Sequence, residues 1–172
     1  MNTTLIVDGY NVINAWPELA ALKEDSLEHA REKLLEVMAG YGAYKGYRVI
    51  VVFDAHAVAG MDSVEQITPD LEVVYTGEGQ TADSYIEKMV YYLVRQGHRV
   101  YVVTSDWAEQ MVILGAGAFR IPARELWQDV REMKRDVADK YGETVLTYRR
   151  HELGSRLNHE VVRRLNELRR GR

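Results

Sequence analysis

Four aspartates stand where they could act together. Asp8 closes the apolar run Leu5–Val7, Asp54 closes VIVVF, and Asp106 follows VYVVTS. Asp83 lies in TADSYIEKM, at a helix start behind the loop Gly77-Glu78-Gly79-Gln80. Carboxylates that converge repel one another and cost stability unless a cation neutralises them. Oxygen donors without cysteine or histidine select Mg²⁺ or Mn²⁺ over zinc. Such an ion shares its coordination sphere with substrate phosphates, polarises a phosphodiester and activates water, and a second ion can stabilise the leaving oxygen. The chemistry expected is phosphodiester hydrolysis.

Each aspartate also has a plainer reading. An Asp after a strand commonly caps the next helix, and Asp106 or Ser105 could cap WAEQM. Asp54 could simply open the loop AHAVAG, and Asp83 is electrostatically favourable in any first helical turn. The argument therefore rests on conjunction, because three of the four follow strands that end on one sheet edge. Asp8 says more through its neighbours: in VDGYNV, Gly9 permits a tight backbone turn, and Asn11 offers an amide close to the carboxylate. Asn11 and Asn14 have little reason to be buried unless they orient a ligand. Thr104 and Ser105 place hydroxyls beside Asp106, suited to a phosphate or a metal-held water.

The elements that must position these groups alternate along the chain. Apolar β-rich runs occupy Thr4–Val7, Arg48–Phe53, Leu71–Tyr75, Arg99–Thr104 and, more weakly, Ala118–Ile121. Their near-continuous apolarity is that of strands buried on both faces. Helical spacing marks Leu27, Leu34, Val37 and Met38 after Asp25 and Ser26. It marks Tyr85, Met89, Tyr92 and Leu93 between Thr81 and Gly97, and a shorter helix with Met111, Ile113 and Leu114. Further stripes run through Leu126, Val130, Met133 and Val137, and through Leu157, Val161, Leu165 and Leu168. This alternation predicts an α/β three-layer sandwich with a mostly parallel sheet of about five strands and a C-terminal helical extension. In such sheets ligands bind beyond the carboxyl ends of the strands, where strand order reverses. Gly142–Gly154 is the one plausible joint, so residues 1–148 are expected to form the body and 149–172 a basic C-terminal helix.

A chain of 172 residues, 47% hydrophobic and 28% charged, has the composition of an ordinary globular domain. The absence of cysteine excludes disulfides, zinc–thiolate centres and cysteine nucleophiles. The apolar run before Asp8 is too short for a signal peptide or a membrane span, so a soluble, cytoplasmic protein with no membrane partner is expected. Charge is uneven. Residues 149–172 hold eight arginines against three glutamates, a net +5, so the first 148 residues carry −9 of the total −4. An acidic body with a basic tail suits an acidic centre beside a phosphate-gripping arm, and a solvated helix face that happens to use arginine would look the same.

LIVDGYNVIN, VVFDA, TADSYIEKM and VVTSDWAEQ, in this order over Leu5–Gln110, resemble the NYN family of PIN-like nucleases. The likeness is to its bacterial YacP-like branch, and IPARELW extends it over nearly the whole chain. The resemblance implies a PIN-like Rossmannoid sheet, an acidic site for Mg²⁺ or Mn²⁺, and endoribonuclease activity. By motif position Asp8, Asp83 and Asp106 are then the core acids and metal ligands, Asn11 an accessory polar residue, and Asp54 a weaker or outer ligand. Many PIN-like proteins carry another acid soon after the last strand. Here the segment reads SDWAE, and Glu109 stands a helix turn further on, which leaves the number of metals open. Members of the branch are linked to mRNA decay and to ribosomes, so RNA, mRNA in particular, is the implied partner and the ribosome a second. A monomer or weak homo-oligomer is expected.

A metal-activated water is the expected nucleophile, with no covalent intermediate. Phosphates should be gripped by Lys88, Arg95, Arg149, Arg150 and the tail arginines. Tyr10, in the DGYN turn, is the tyrosine best placed to stack on an unpaired base, whereas Tyr85, Tyr92 and Tyr101 fit core spacing. His56 lies close enough to the second strand to touch substrate, and His29, His98, His151 and His159 read as surface residues. Three rivals are weaker. A haloacid-dehalogenase-like phosphatase needs a second Asp where Tyr10 stands. A dinucleotide-binding domain needs a glycine-rich loop after the first strand. A non-catalytic RNA- or ribosome-binding adaptor has no use for mutually repelling acids.

Overall fold

A computed structural model describes residues 2–55, 63–105 and 107–151, with backbone alone for 107–109 and 142–151. Along the chain run β1 (Thr3–Asp8), α1 (Gly9–Ala15), α2 (Pro17–Asp25), α3 (Leu27–Lys45), β2 (Arg48–Asp54) and β3 (Ser63–Thr68). They are followed by β4 (Leu71–Thr76), α4 (Ala82–Arg95), β5 (Arg99–Val103), α5 (Trp107–Gly115), β6 (Phe119–Ile121) and α6 (Ala123–His151). The six strands lie in the order β3-β4-β2-β1-β5-β6, and only β3 runs antiparallel to its neighbour. The molecule divides into two compact units, 1–133 and 134–172.

In the first unit, side chains alternate across the pleat as a two-sided sheet requires. Leu5, Val7, Val49, Val51, Phe53, Val73 and Val103 face a core closed by α1, α2, α3 and the start of α6. Ile6, Ile50, Val52, Val74, Val100 and Val102 face the opposite core, under Ile86, Val90 and Leu93 of α4 and Ile113 of α5. These are the three expected layers, with six strands among the described residues in place of about five.

Local signals set the helix ends. The Ser26 hydroxyl accepts from the His29 N–H at 3.2 Å to start α3, and Thr81 accepts from Ser84 N–H at 3.1 Å to start α4. Beyond α4, Gly97 takes φ +82°, a left-handed conformation that glycine adopts without steric cost. Pro17 opens α2 from its first turn. The Trp16 indole N–H donates to the carbonyl of Ala123 at 2.8 Å and ties the end of α1 to the start of α6.

Some expectations fail in instructive ways. DGYN is no free turn but the first turn of α1. Gly9 has no positive φ, and a Cβ there would overlap the buried Phe53 ring, so close packing is what requires glycine. Asn14 is exposed and accepts from Lys23 Nζ at 2.8 Å. Tyr92 is exposed on α4, whereas His98 is half-buried and bonds the fully buried Thr4 hydroxyl at 3.1 Å. In the second unit, α6 continues through Gly142 to His151, with Lys140 paired to Asp136 at 3.2 Å. No helix among the described residues is long and apolar enough to cross a membrane.

Candidate functional site

The sheet reverses direction at β1. From β1 the chain moves to β2 on one side, and later crosses by α4 to β5 on the other. The carboxyl ends of β1 and β5 therefore flank the crevice where open α/β sheets bind ligands. Register places Val7 beside Val103, so Asp8 and Thr104 stand level across this crevice. Asp8 is also in register with Val52, and Asp54 with Thr76, so the ends of β2 and β4 extend the same edge.

Pleat alternation then decides which way these side chains turn. Ile6, Val52, Val74 and Val102 all face the α4–α5 core. Two positions on, Asp8, Asp54, Thr76 and Thr104 share their parity and turn to the same layer. Asp83 belongs to that layer from the helix side. It lies three and seven residues before Ile86 and Val90, both buried against the sheet, so it heads the stripe that α4 presents to the strands. Helical side chains lean toward the N-terminus, which brings the Asp83 carboxylate toward the strand ends. Three of the four expected acids thus lie toward the same layer along one edge of the sheet.

The plainer alternatives can be weighed. Asp8 precedes α1 but makes no side-chain capping bond to it. Thr81, not Asp83, caps α4. Asp54 is only half-buried overall, but its Oδ1 atom is sealed from solvent. Asp106, like His56, lies outside the described residues, as does the side chain of Glu109. Among the described residues no three acidic or histidine side chains form a group able to hold a metal. Asp8, Asp54 and Asp83 are hard oxygen donors of the chemical kind that suits Mg²⁺ or Mn²⁺, but these three do not by themselves close a metal site.

Within residues 1–133 the polar neighbours separate into those at the crevice and those away from it. The Ser105 hydroxyl donates to Asn11 Oδ1 at 3.1 Å, linking the first turn of α1 to the end of β5 across the reversal point. Thr104 is fully buried. Tyr10 is half-buried rather than splayed out. Its ring lies 5.1 Å from that of Phe53, and its hydroxyl accepts from Arg31 Nη1 at 2.9 Å. Lys88 is exposed on α4, five residues past Asp83, which puts it about 140° round the helix from that acid. Arg95 is exposed in the last turn of the same helix. Arg149 and Arg150 belong to the final turn of α6, and their side chains lie outside the described residues.

One functional candidate is visible only in the fold. Arg120, in the middle of β6, reaches along the edge and donates Nε–H to the Thr104 carbonyl at 2.7 Å. A lone arginine inside the short strand Phe119–Ile121 is the signal the sequence offers for it.

A mostly parallel α/β sheet with acids gathered at the carboxyl ends beside its reversal point has the PIN-like nuclease fold. A model of the YacP-like NYN domain matches residues 5–170. A Bacillus subtilis (strain 168) protein named "Uncharacterized protein YacP" is 47% identical over 133 residues, 77% of this chain and 78% of that protein. The crystal structure of Rae1 (YacP) from Bacillus subtilis matches with a TM-score of 0.74 at 41% identity, covering 99% of this chain and 96% of that one. The crystal structure of a mutant of the same Bacillus protein matches with a TM-score of 0.73 at 42% identity, over 83% of this chain and 84% of that one. The chain belongs to the YacP-like NYN domain family.

Proposed function

We propose that this protein is a metal-dependent endoribonuclease that hydrolyses phosphodiester bonds in RNA, with mRNA, free or on the ribosome, as its substrate in the cytoplasm. What supports the reading is the shared parity that turns Asp8, at the reversal point, and Asp54 beside it toward the layer in which Asp83 heads the buried stripe of α4, in a family of nuclease fold. Asp8, Asp83 and Asp106 would hold Mg²⁺ or Mn²⁺, with Asp54 as the weaker ligand. Bound there, the ion supplies Lewis acidity toward the phosphodiester and lowers the pKa of the attacking water.

The chain's own groups supply orientation. The Ser105–Asn11 bond fixes the end of β5 against the first turn of α1, next to the strand end that carries Asp8. Thr104, fully buried at the end of β5, is braced through its carbonyl by Arg120. With water and not a side chain as nucleophile, the acids coordinate and position, and none is consumed.

The test is cleavage of end-labelled mRNA with Mn²⁺ or Mg²⁺, free and on translating ribosomes, by the wild type and by Asp8→Asn and Asp83→Asn. Metal-dependent cuts should appear in at least one format and fall by about a hundredfold or more in each variant. A folded wild type that cuts neither form would replace the nuclease by an RNA- or ribosome-binding adaptor.

A further inference from the structure

Arg120 has a placement that the metal chemistry does not use. In register it pairs with Val102, and like Val102 and Ala118 it faces the α4–α5 layer. Its side chain therefore rises from the same face as Asp8, Asp54 and Thr104. From there it extends two residues further along the strand direction, and its Nε–H is committed to the Thr104 carbonyl at 2.7 Å. This bond holds the guanidinium at the end of β5, one strand from Asp8. Among the described residues no carboxylate pairs with Arg120. A planar guanidinium anchored through Nε still has two amino groups, each with donors suited to phosphate oxygens. Beyond the edge strand β6 there is no further strand among the described residues, so nothing in the sheet covers that side.

We infer that Arg120 grips a phosphate of the RNA strand, at or beside the scissile one, and is the cation that draws a polyanion into an otherwise acidic crevice. The inference rests on the nuclease reading for the identity of the polyanion. The anchored Nε makes the grip preorganised, because the guanidinium need not be reoriented when RNA arrives. Lysine could supply the charge but could not anchor to Thr104 and present two further donor groups at once.

Binding separates this inference from the nuclease reading, because it needs no cutting. Affinity for a short single-stranded RNA would be measured against salt in the Asp8→Asn background, alone and with Arg120→Gln or Arg120→Lys. Removing one phosphate-bound cation should reduce the slope of log K on log salt by about 0.7. Arg120→Gln should show that reduction, and Arg120→Lys should keep the slope while binding more weakly. A single neutral methylphosphonate at the gripped linkage should weaken the Arg120 protein but leave the Arg120→Gln protein unaffected. Equal slopes for the Arg120 and Arg120→Gln proteins would overturn the inference even if the wild type cuts RNA. Identical behaviour of the Gln and Lys variants would do the same, by reducing Arg120 to a brace for β5. A wild type that never cuts, with the slope change present, leaves the phosphate grip standing and removes the nuclease.

Discussion

Asp8 ends a strand without capping the helix that follows, and its carboxylate faces a layer that also receives Asp54 and Asp83. Removing one negative charge there should cost function and not stability, a trade seen where active sites carry strain. Asp8→Asn should therefore be as stable as the wild type or more so without metal, by up to about 2 kcal/mol, and melt no lower. Loss of activity accompanied by a fallen melting temperature would count against a ligand role. Gly9 makes the opposite case. Gly9→Ala adds one methyl against the Phe53 ring, which is fully buried, and overpacking of this kind costs about 1–3 kcal/mol. Urea titration should show the loss, and Phe53→Leu should recover part of it in the double variant. At this scale the sequence was informative about acids because strand-end aspartates can be read from apolar runs alone. Arg120 was not legible, because its meaning depends on β6 lying beside β5 and on the parity it shares with Val102.

Between elements, α3 and the start of α6 meet through a polar bridge at the margin of the apolar layer, with Tyr41 buried and Lys45 and Asp129 part-exposed. The Tyr41 hydroxyl donates to Asp129 Oδ2 at 2.5 Å, and Lys45 Nζ stands 3.4 Å from the same oxygen. Burial of Tyr41, reinforced by that bond and by the charge of Asp129, pushes its pKa far above the ordinary 10.0. The native state keeps this proton where the unfolded chain releases it. Its contribution is thus complete below pH 10 and declines as pH rises further, by up to about 1.4 kcal/mol per unit. Tyr41→Phe should lose about 1–3 kcal/mol at neutral pH with the bond to a charged acceptor, and should flatten the alkaline decline. An unchanged alkaline limb in chemical denaturation would assign the decline elsewhere. Tyr75 is a second contributor, its pKa raised by burial and lowered in part by Arg31. The strands buried on both faces and the helices α3, α4, α5 and α6 were legible from period and caps. β3 was not, because all but its last residue are exposed and it offers no apolar alternation. α1 and α2 were hidden as well: both are short, and the DGYN segment has the composition of a turn.

Over the whole molecule the charge is divided, −9 before residue 149 and +5 from there to the end. An acidic body repels RNA at long range, so the basic segment should govern how fast the polyanion arrives and how strongly salt opposes it. On the proposed reading the acids would act only after arrival. These roles separate experimentally if Arg149 and Arg150 are both replaced by glutamine. Each phosphate-bound arginine removed should take about 0.7 from the salt slope of RNA binding. The double variant should then show a slope smaller by up to about 1.4. Turnover at saturating RNA should stay at the wild-type value if the two arginines act only in drawing the polyanion in, since saturation removes the arrival step. A fall in turnover at saturation would instead make the two arginines part of the reacting site. A salt slope equal to that of the wild type would return residues 149–172 to the role of a solvated helix face, and leave the grip on RNA to the body, where Arg120 stands at the end of β5.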